Sequence, residues 1–302
     1  MSKYAPLKQY ATQLGCSYFE NEPLSEHTTF KIGGPADIFL SPPSKTVLQS
    51  LLEACKKWEL PTLVMGSGSN LLVSDLGFRG VVLHVGGGFA ELELEGAFEI
   101  RCGAGVKLSR LCNFALEHSL SGLEFAWGIP GSAGGAAYMN AGAYDGEMSQ
   151  VILRCEHVSL NGEAGSRTGE EMNLSYRHSV YAETGDVITS VLYKLTPGDP
   201  EEIREKMDDL MNRRRAKQPV ELPSAGSVFK RPPGKYAGTL IEECGLKGER
   251  IGDAMVSEKH AGFIVNMGDA TCTDVRLLIE KIKEKVFLKT GVGLECEIKM
   301  IG

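Results

Sequence analysis

Two glycine-rich segments have the composition of an anion cradle. The first is Gly66-Ser67-Gly68-Ser69-Asn70, after the apolar run Leu63-Val64-Met65; the second is Gly128-Ile129-Pro130-Gly131-Ser132-Ala133-Gly134-Gly135-Ala136-Ala137. Glycine admits positive φ and lets consecutive N–H groups meet a ligand with no Cβ in the way. From Gly128 to Tyr144, ten of seventeen residues are Gly or Ala, which packs poorly as a core and suits close backbone approach to a flat or phosphorylated ligand. Two such segments point to a diphosphate-bearing cofactor, and so to flavin or nucleotide chemistry. The first loop lacks the third glycine of G-x-G-x-x-G, Leu71 standing in its place, and no long amphipathic helix follows it. A dinucleotide-binding Rossmann unit needs both.

Other residues could act on a substrate. Ser227, in Ser224-Ala225-Gly226-Ser227-Val228-Phe229-Lys230-Arg231, lies near three cations, Lys230, Arg231 and Lys235. A serine beside glycine is ordinarily a turn residue, yet a hydroxyl also delivers a proton where cations or amides stabilise the alkoxide left behind. The G-x-S-x-G nucleophile signature is absent, which disfavours a hydrolase. Arg213, Arg214, Arg215 and Lys217 crowd a predicted helix end. Helix-dipole and carbonyl interactions explain part of that cluster, and a diphosphate or carboxylate seat explains the rest. Arg177, after Tyr176 in what reads as β structure, is a solvated ion-pair partner or a ligand contact. Glu295 and Glu297 share one strand face, and periodicity does not choose between them. His27, His84, His118 and His157 show no metal or acid/base spacing and read as structural or surface residues.

The elements that must position these residues follow from apolar spacing and turn chemistry. Ser44 caps a predicted helix to Trp58 with Val47, Leu48, Leu51, Leu52 and Cys55 on one face. Strands are expected at Leu63–Met65, Leu71–Val73, Gly80–Val85 and Phe98–Cys102. A helix bearing Leu108, Leu111, Cys112 and Ala115 follows, ended by Gly122. Residues 151–195 alternate as antiparallel strands. Thr196-Pro197-Gly198-Asp199-Pro200 is the clearest boundary, with Asp199 capping a helix from Pro200 whose stripe is Ile203, Met207, Leu210 and Met211. Next come a short helix from Tyr236 to Cys244, a strand at Gly262–Met267, a helix capped by Thr273 and closed by Gly291, and a last strand from Leu294 to Met300.

At 302 residues with 42% hydrophobic content, two globular cores are expected. A net charge of −7 argues against a nucleic-acid or membrane-surface protein. The eight cysteines have neither C-x-x-C nor zinc-finger spacing and read as reduced, buried thiols. No apolar signal core opens the chain and no run approaches the ~18 apolar residues of a membrane span, so a cytoplasmic location is expected.

Taken together, several runs resemble, in order, the flavin-dependent UDP-N-acetylenolpyruvoylglucosamine reductases of bacterial cell-wall synthesis. They are His27-Thr28-Thr29-Phe30-Lys31-Ile32-Gly33-Gly34-Pro35-Ala36-Asp37, the Gly66–Asn70 loop, Gly128–Ser132, Tyr176-Arg177, Gly226-Ser227-x-Phe229-Lys230 and Leu294-Glu295-x-Glu297. The resemblance spans almost the whole chain. It implies an α+β fold: a two-subdomain FAD-binding domain of the vanillyl-alcohol-oxidase type over residues 1–199, split near 80–85, then a smaller α+β substrate-binding domain over 200–290. Residues 291–302 would form a strand returning to the first domain.

The implied reaction is NADPH-dependent reduction of UDP-N-acetylglucosamine enolpyruvate to UDP-N-acetylmuramate, a step of peptidoglycan precursor synthesis, with NADPH and the sugar nucleotide alternating in one site. By the same resemblance, Ser227 is the proton donor, while Arg177 and Glu297 stabilise the enolate; the family pattern favours Glu297 over Glu295. FAD would be held non-covalently by Thr29, by Gly66, Ser67, Gly68, Ser69, Asn70 and Leu71, and by Gly103 and Ala104. Ile129, Gly131, Ser132, Gly134, Gly135 and Gly142 complete that set. Tyr176, Arg214, Lys230 and His260 match substrate contacts. Arg231 departs from the family, many members having Asn there, and the short link from Tyr181 to Val187 resembles the compact subclass without an extra tyrosine loop. A monomer is expected. Two other readings compete: an alcohol or sugar oxidase sharing the flavin domain, which would not need Arg177, Ser227 and Glu297, and a sugar-nucleotide-binding module without redox chemistry.

Overall fold

The computed structural model describes residues 3–302; Met1 and Ser2, where the expected partition begins, lie outside the described residues. Contacts group the chain into two units. The first holds the residues up to Asn21, Asp37–Ser67 and Gly80–Asn212; the second holds Glu22–Ala36, Gly68–Arg79 and Arg213–Gly302. Each has its own apolar core.

The first unit carries two sheets. One has four strands in the order Ser17–Pro23, Pro35–Ser41, Phe78–His84, Thr62–Met65, the last two parallel. The helix Lys45–Lys57 begins where Ser44 accepts the Val47 N–H at 3.3 Å, and it buries Leu48, Leu51, Leu52 and Cys55 as its spacing predicts. The second sheet has five strands, ordered Ala164–Thr168, Ile152–Val158, Val187–Lys194, Glu99–Gly103, Leu92–Leu94. All its pairings are antiparallel, as the alternation over 151–195 requires. The helix Leu108–Glu117 ends at His118, four residues before Gly122, because Ser119 takes the left-handed turn at φ +57°. Gly122 instead opens a turn around Glu124. That buried carboxylate accepts from the Ser121 hydroxyl at 2.7 Å, the Gly122 N–H at 3.1 Å and the Lys206 ammonium at 3.2 Å.

Asp199 caps the helix Pro200–Lys217, accepting the Glu201 N–H at 2.8 Å. Ile203 and Met207 pack in the first unit's core, so the contact division falls inside this helix, after Asn212, rather than at the turn before it.

The second unit draws two early segments onto the C-terminal residues. Lys299–Ile301 pairs in parallel with Leu71–Val73, and the Asn266 amide donates to the Phe30 carbonyl at 3.2 Å. A three-stranded antiparallel sheet, Arg250–Ile251, Ala254–Val256 and Ile264–Asn266, lies with the helices Ala237–Glu243 and Cys272–Thr290. The long helix is capped by Thr271, in a reciprocal capping box with Asp274, and not by Thr273. Thr273 already lies inside the helix, where its hydroxyl and N–H serve Asp75. Gly291 closes the helix in the left-handed region. All eight cysteines are free thiols; six are buried, while Cys244 and Cys296 are partly exposed. Burial pushes the Cys112 and Cys155 thiols up to about 12, where thiolate chemistry is unavailable. No helix among the described residues is long and apolar enough to cross a membrane.

Candidate functional site

In the first unit the two glycine segments meet. A Cβ on Gly66 would stand 2.6 Å from the Ser132 hydroxyl, and Ser132 itself caps the helix Ala133–Tyr138, accepting the Gly135 N–H at 3.4 Å. The second segment lies on the end of the strand Glu99–Gly103: the Gly134 N–H donates to the Ala104 carbonyl at 2.9 Å, and a Cβ on Gly134 would fall 2.6 Å from the Ala104 Cβ. Gly66, Ser132, Gly134 and Ala104 therefore form one backbone-lined patch. Gly135 differs from its neighbours. A Cβ there would find only the Ser132 hydroxyl at 3.4 Å, an ordinary contact, and its φ is not positive. No protein atom demands glycine at that position, which fits a residue kept small for a ligand. The expected cradle for a diphosphate-bearing cofactor is thus compatible with the residues present.

Tyr176 and Arg177 form the tip of a tight turn rather than part of a strand. Ser175 and His178 exchange backbone hydrogen bonds across them, and Arg177 takes φ +57°. A left-handed arginine costs on the order of 1–2 kcal/mol, so the turn must be held from outside. The fully buried Asn140 donates from its amide to the Ser175 carbonyl at 3.0 Å and accepts the Ser149 N–H at 2.8 Å; the Ser179 hydroxyl donates to the Tyr138 carbonyl at 2.7 Å. These bonds tie the turn to the second glycine segment, and the Arg177 guanidinium reaches the Gly142 carbonyl at 3.3 Å and lies over the Tyr176 ring. Asn140 is the organiser that sequence reading missed. Its only local signal was an Asn just after the Gly/Ala-rich run, a residue type that tolerates the left-handed φ of +41° it takes there.

In the second unit Ser227 and Glu297, seventy residues apart in sequence, belong to one hydrogen-bonded ladder. The Glu297 N–H donates to the Val228 carbonyl at 2.8 Å and the Lys230 N–H to the Glu295 carbonyl at 2.9 Å, while Phe229 bridges Cys296. Glu297 is held from a further direction by Asn70, whose amide donates to its carbonyl at 3.2 Å. The two candidate carboxylates part company here: Glu295 is exposed and ion-paired with Lys230, whereas Glu297 is half-buried. The Ser227 hydroxyl donates to the Phe229 carbonyl at 3.2 Å, a long bond that is cheap to release. The Val228 N–H donates to the Gly262 carbonyl at 2.8 Å, which brings the His260 loop alongside.

Burial holds His260 below the usual histidine range against a backbone hydrogen bond at His260 itself, with Lys247 adding to the lowering and Glu242 acting in the opposite sense. The Thr29 hydroxyl donates to the Ser224 carbonyl at 2.7 Å, so its proton is already placed. Of the expected substrate contacts, Lys230 and His260 sit with Ser227; Arg214 stands in the last turn of the Pro200–Lys217 helix. The division into units falls within the first glycine loop, Gly66 and Ser67 belonging to one and Gly68, Ser69, Asn70 and Leu71 to the other. The histidines read as structural have local partners: His27 pairs with Glu22 at 2.8 Å, His84 contacts the Phe39 ring, and His118 meets the Phe114 carbonyl at 2.8 Å. His157 lies in a buried cluster with Arg167, Tyr181 and Asp186.

Comparison with known proteins covers both halves of the chain. Residues 36–165 match the FAD binding domain family, and residues 218–301 match the C-terminal domain of UDP-N-acetylenolpyruvoylglucosamine reductase. The UDP-N-acetylenolpyruvoylglucosamine reductase of Agathobacter rectalis is 47% identical over 96% of this chain and 95% of its own length. The reductase of Caldanaerobacter subterraneus is 48% identical over 93% of each chain. The crystal structure of the corresponding reductase from Thermus caldophilus superposes with a TM-score of 0.82 at 36% identity, covering 95% of this chain and 99% of that one.

Proposed function

The chain belongs to the UDP-N-acetylenolpyruvoylglucosamine reductase family, and from that premise we propose that it reduces UDP-N-acetylglucosamine enolpyruvate to UDP-N-acetylmuramate with NADPH in the cytoplasm. Its FAD-binding domain matches by family, and when bound, FAD supplies the chemistry that carries hydride from the nicotinamide to the substrate. The observation that carries the reading is the ladder that seats Ser227 beside the Glu297 strand. It brings the backbones of two segments seventy residues apart together, which supports a proton donor and an acidic residue serving one site.

In this reading the patch of Gly66, Ser132, Gly134 and Gly135 gives the cofactor a surface without bulky side chains, so that it approaches the backbone closely. Reduction of the enolpyruvyl double bond builds negative charge on the substrate carboxylate. Arg177 binds that developing charge through its guanidinium, and Glu297 assists as a general acid. Ser227 releases its bond to the Phe229 carbonyl and gives its proton to carbon 2 of the enolate. Lys230, Arg214, Tyr176 and His260 bind the sugar nucleotide. The FAD-binding part is assigned to residues 1–199 and the substrate part to 200–290; pairing of Lys299–Ile301 with Leu71–Val73 supports the return of 291–302 to the earlier chain.

The test is an anaerobic absorbance titration of the flavin-loaded protein. NADPH should bleach the flavin and UDP-N-acetylglucosamine enolpyruvate should restore the oxidised spectrum. Restoration by oxygen alone, with the sugar nucleotide inert, would overturn the proposal in favour of an oxidase.

A further inference from the structure

Gly262 touches Ser227 and His260 in three separate ways. Its carbonyl accepts the Val228 N–H at 2.8 Å, fixing the backbone that carries Ser227. Its N–H donates to His260 Nδ1 at 3.1 Å. The place where its Cβ would stand is 3.0 Å from His260 Cε1, 3.1 Å from Nδ1 and 3.6 Å from the Ser227 hydroxyl oxygen. The φ of Gly262 is not positive, so the backbone itself does not demand glycine; the closeness of the His260 ring does, the Ser227 hydroxyl lying at an ordinary contact distance.

The imidazole is confined from two further directions. A Cβ on Gly238 would lie 3.0 Å from His260 Cε1, and the Phe263 ring stands edge-on at 5.1 Å. The buried Ser257 hydroxyl accepts the Lys259 and His260 N–H groups at 3.2 and 3.3 Å, and the Phe263 N–H donates to the His260 carbonyl at 3.0 Å, closing the loop on itself.

We propose that Gly262 is a positioning residue for Ser227 and His260, holding the imidazole with its proton on Nε2 so that it meets the sugar nucleotide as a fixed N–H donor. A backbone N–H only donates, so the ring nitrogen facing it must be an acceptor and the remaining proton must sit on the other nitrogen. A doubly protonated ring would turn an N–H toward the Gly262 N–H, so this contact and burial favour the same uncharged state. The proposal deepens the reading of Ser227 as proton donor and His260 as substrate contact, and rests on it for the identity of the ligand. Its geometry stands on the protein alone.

Two measurements test it. Nitrogen-15 correlation spectra of the ring in the free enzyme near neutral pH should show His260 Nδ1 as an unprotonated, pyridine-type nitrogen and Nε2 as protonated. A proton on Nδ1, or on both nitrogens, would overturn the proposal. In Gly262→Ala the new methyl displaces the ring from the amide, so the same spectrum should lose the single-tautomer pattern. Calorimetric affinity for UDP-N-acetylglucosamine enolpyruvate should fall about fivefold to tenfold, the loss of one oriented hydrogen bond. An unchanged spectrum with unchanged affinity refutes the assignment. Should that variant fold poorly, His260→Gln and His260→Ala replace it. Gln presents an amide N–H near the position of Nε2, so it should keep more affinity than Ala, and equal losses in the two would count against the fixed donor. If wild-type protein does not bind the sugar nucleotide at all, the proposed substrate fails, while the ring spectrum still decides the role of Gly262.

Discussion

Gly134 and Gly135 are neighbours in one helix with the same composition signal, yet the structure assigns them different reasons for being glycine. At Gly134 an added Cβ would lie 2.6 Å from the Ala104 Cβ and 3.2 Å from its Cα and carbonyl oxygen. Carbon pairs prefer about 3.5–4.0 Å, so roughly 1 Å must be recovered by moving backbone, because Ala104 has no flexible tip and is itself buried. Such overpacking costs about 1–3 kcal/mol. Replacing a helical glycine by alanine returns up to about 1 kcal/mol at either position, so the difference between Gly134→Ala and Gly135→Ala isolates the overpacking term. With roughly 2–4 °C per kcal/mol for chains of comparable size, the apo Gly134→Ala protein should melt several degrees below apo Gly135→Ala. Gly135→Ala should match or slightly exceed wild type. Flavin retention should behave differently: Gly135→Ala is expected to bind FAD more weakly without loss of apo stability, because the only atoms its methyl would crowd are a ligand's. Equal melting temperatures in the two apo variants would refute the reading of the Ala104 contact. Undiminished FAD affinity in Gly135→Ala would remove that residue from the cradle.

Ser227→Ala should leave flavin reduction by NADPH intact and slow reoxidation by the enolpyruvyl substrate by about a hundredfold or more, since only the second step needs carbon protonation; stopped-flow absorbance separates the two, and equal losses would count against the role. Asp75 accepts from the Cys272 and Thr273 N–H groups at 2.6 and 3.0 Å and from the Thr273 hydroxyl at 2.6 Å, capping a helix almost two hundred residues further along the chain. Burial opposes its ionised form, but those three bonds outweigh it and hold the carboxyl below its usual range. Asp75→Ala should cost about 1 kcal/mol at neutral pH as read by urea unfolding. The deficit should be present above the ordinary carboxylate pKa and vanish as pH falls through the lower folded value. Glu124 is likewise held low: its burial is outweighed by the Ser121 hydroxyl, the backbone amides at Glu124 and Gly122, and Lys206. Glu124→Gln should destabilise by about 1–3 kcal/mol, again with the gap closing in acid, and a gap that widened below pH 4 would contradict the sign.

Local patterns were readable in this sequence, and partnerships across it were not. The Ser44 cap and the Leu48–Leu51–Leu52–Cys55 stripe depend on residues within one or two turns, so apolar periodicity and a capping side chain specify them. The same local logic errs by two residues at Thr271, because both threonines look alike until the partner of each hydroxyl is known. Thr271 takes Asp274 and Thr273 takes Asp75, an acceptor brought from the far side of the sequence. Arg177 read as strand because its neighbours alternate. A turn pinned by Asn140 and Tyr138 overrides that pattern and pays for a left-handed arginine with hydrogen bonds made elsewhere.

The pair Glu295 and Glu297 shows the limit most sharply. Period-two reasoning places both on one face and stops there. The family resemblance favours the second, and the structure supplies a physical distinction that neither spacing nor composition contains: Lys230 engages Glu295, while Asn70 and Val228 fasten the backbone of Glu297. A salt bridge to a strongly exposed carboxylate contributes little stability, so the Lys230–Glu295 contact marks Glu295 as a solvent-side residue rather than a strong structural tie. Glu297 is half-buried with its backbone fastened from two directions, and Ser227, on the same ladder, combines a fixed backbone with a loosely held hydroxyl, which is the combination the proposed proton donor needs.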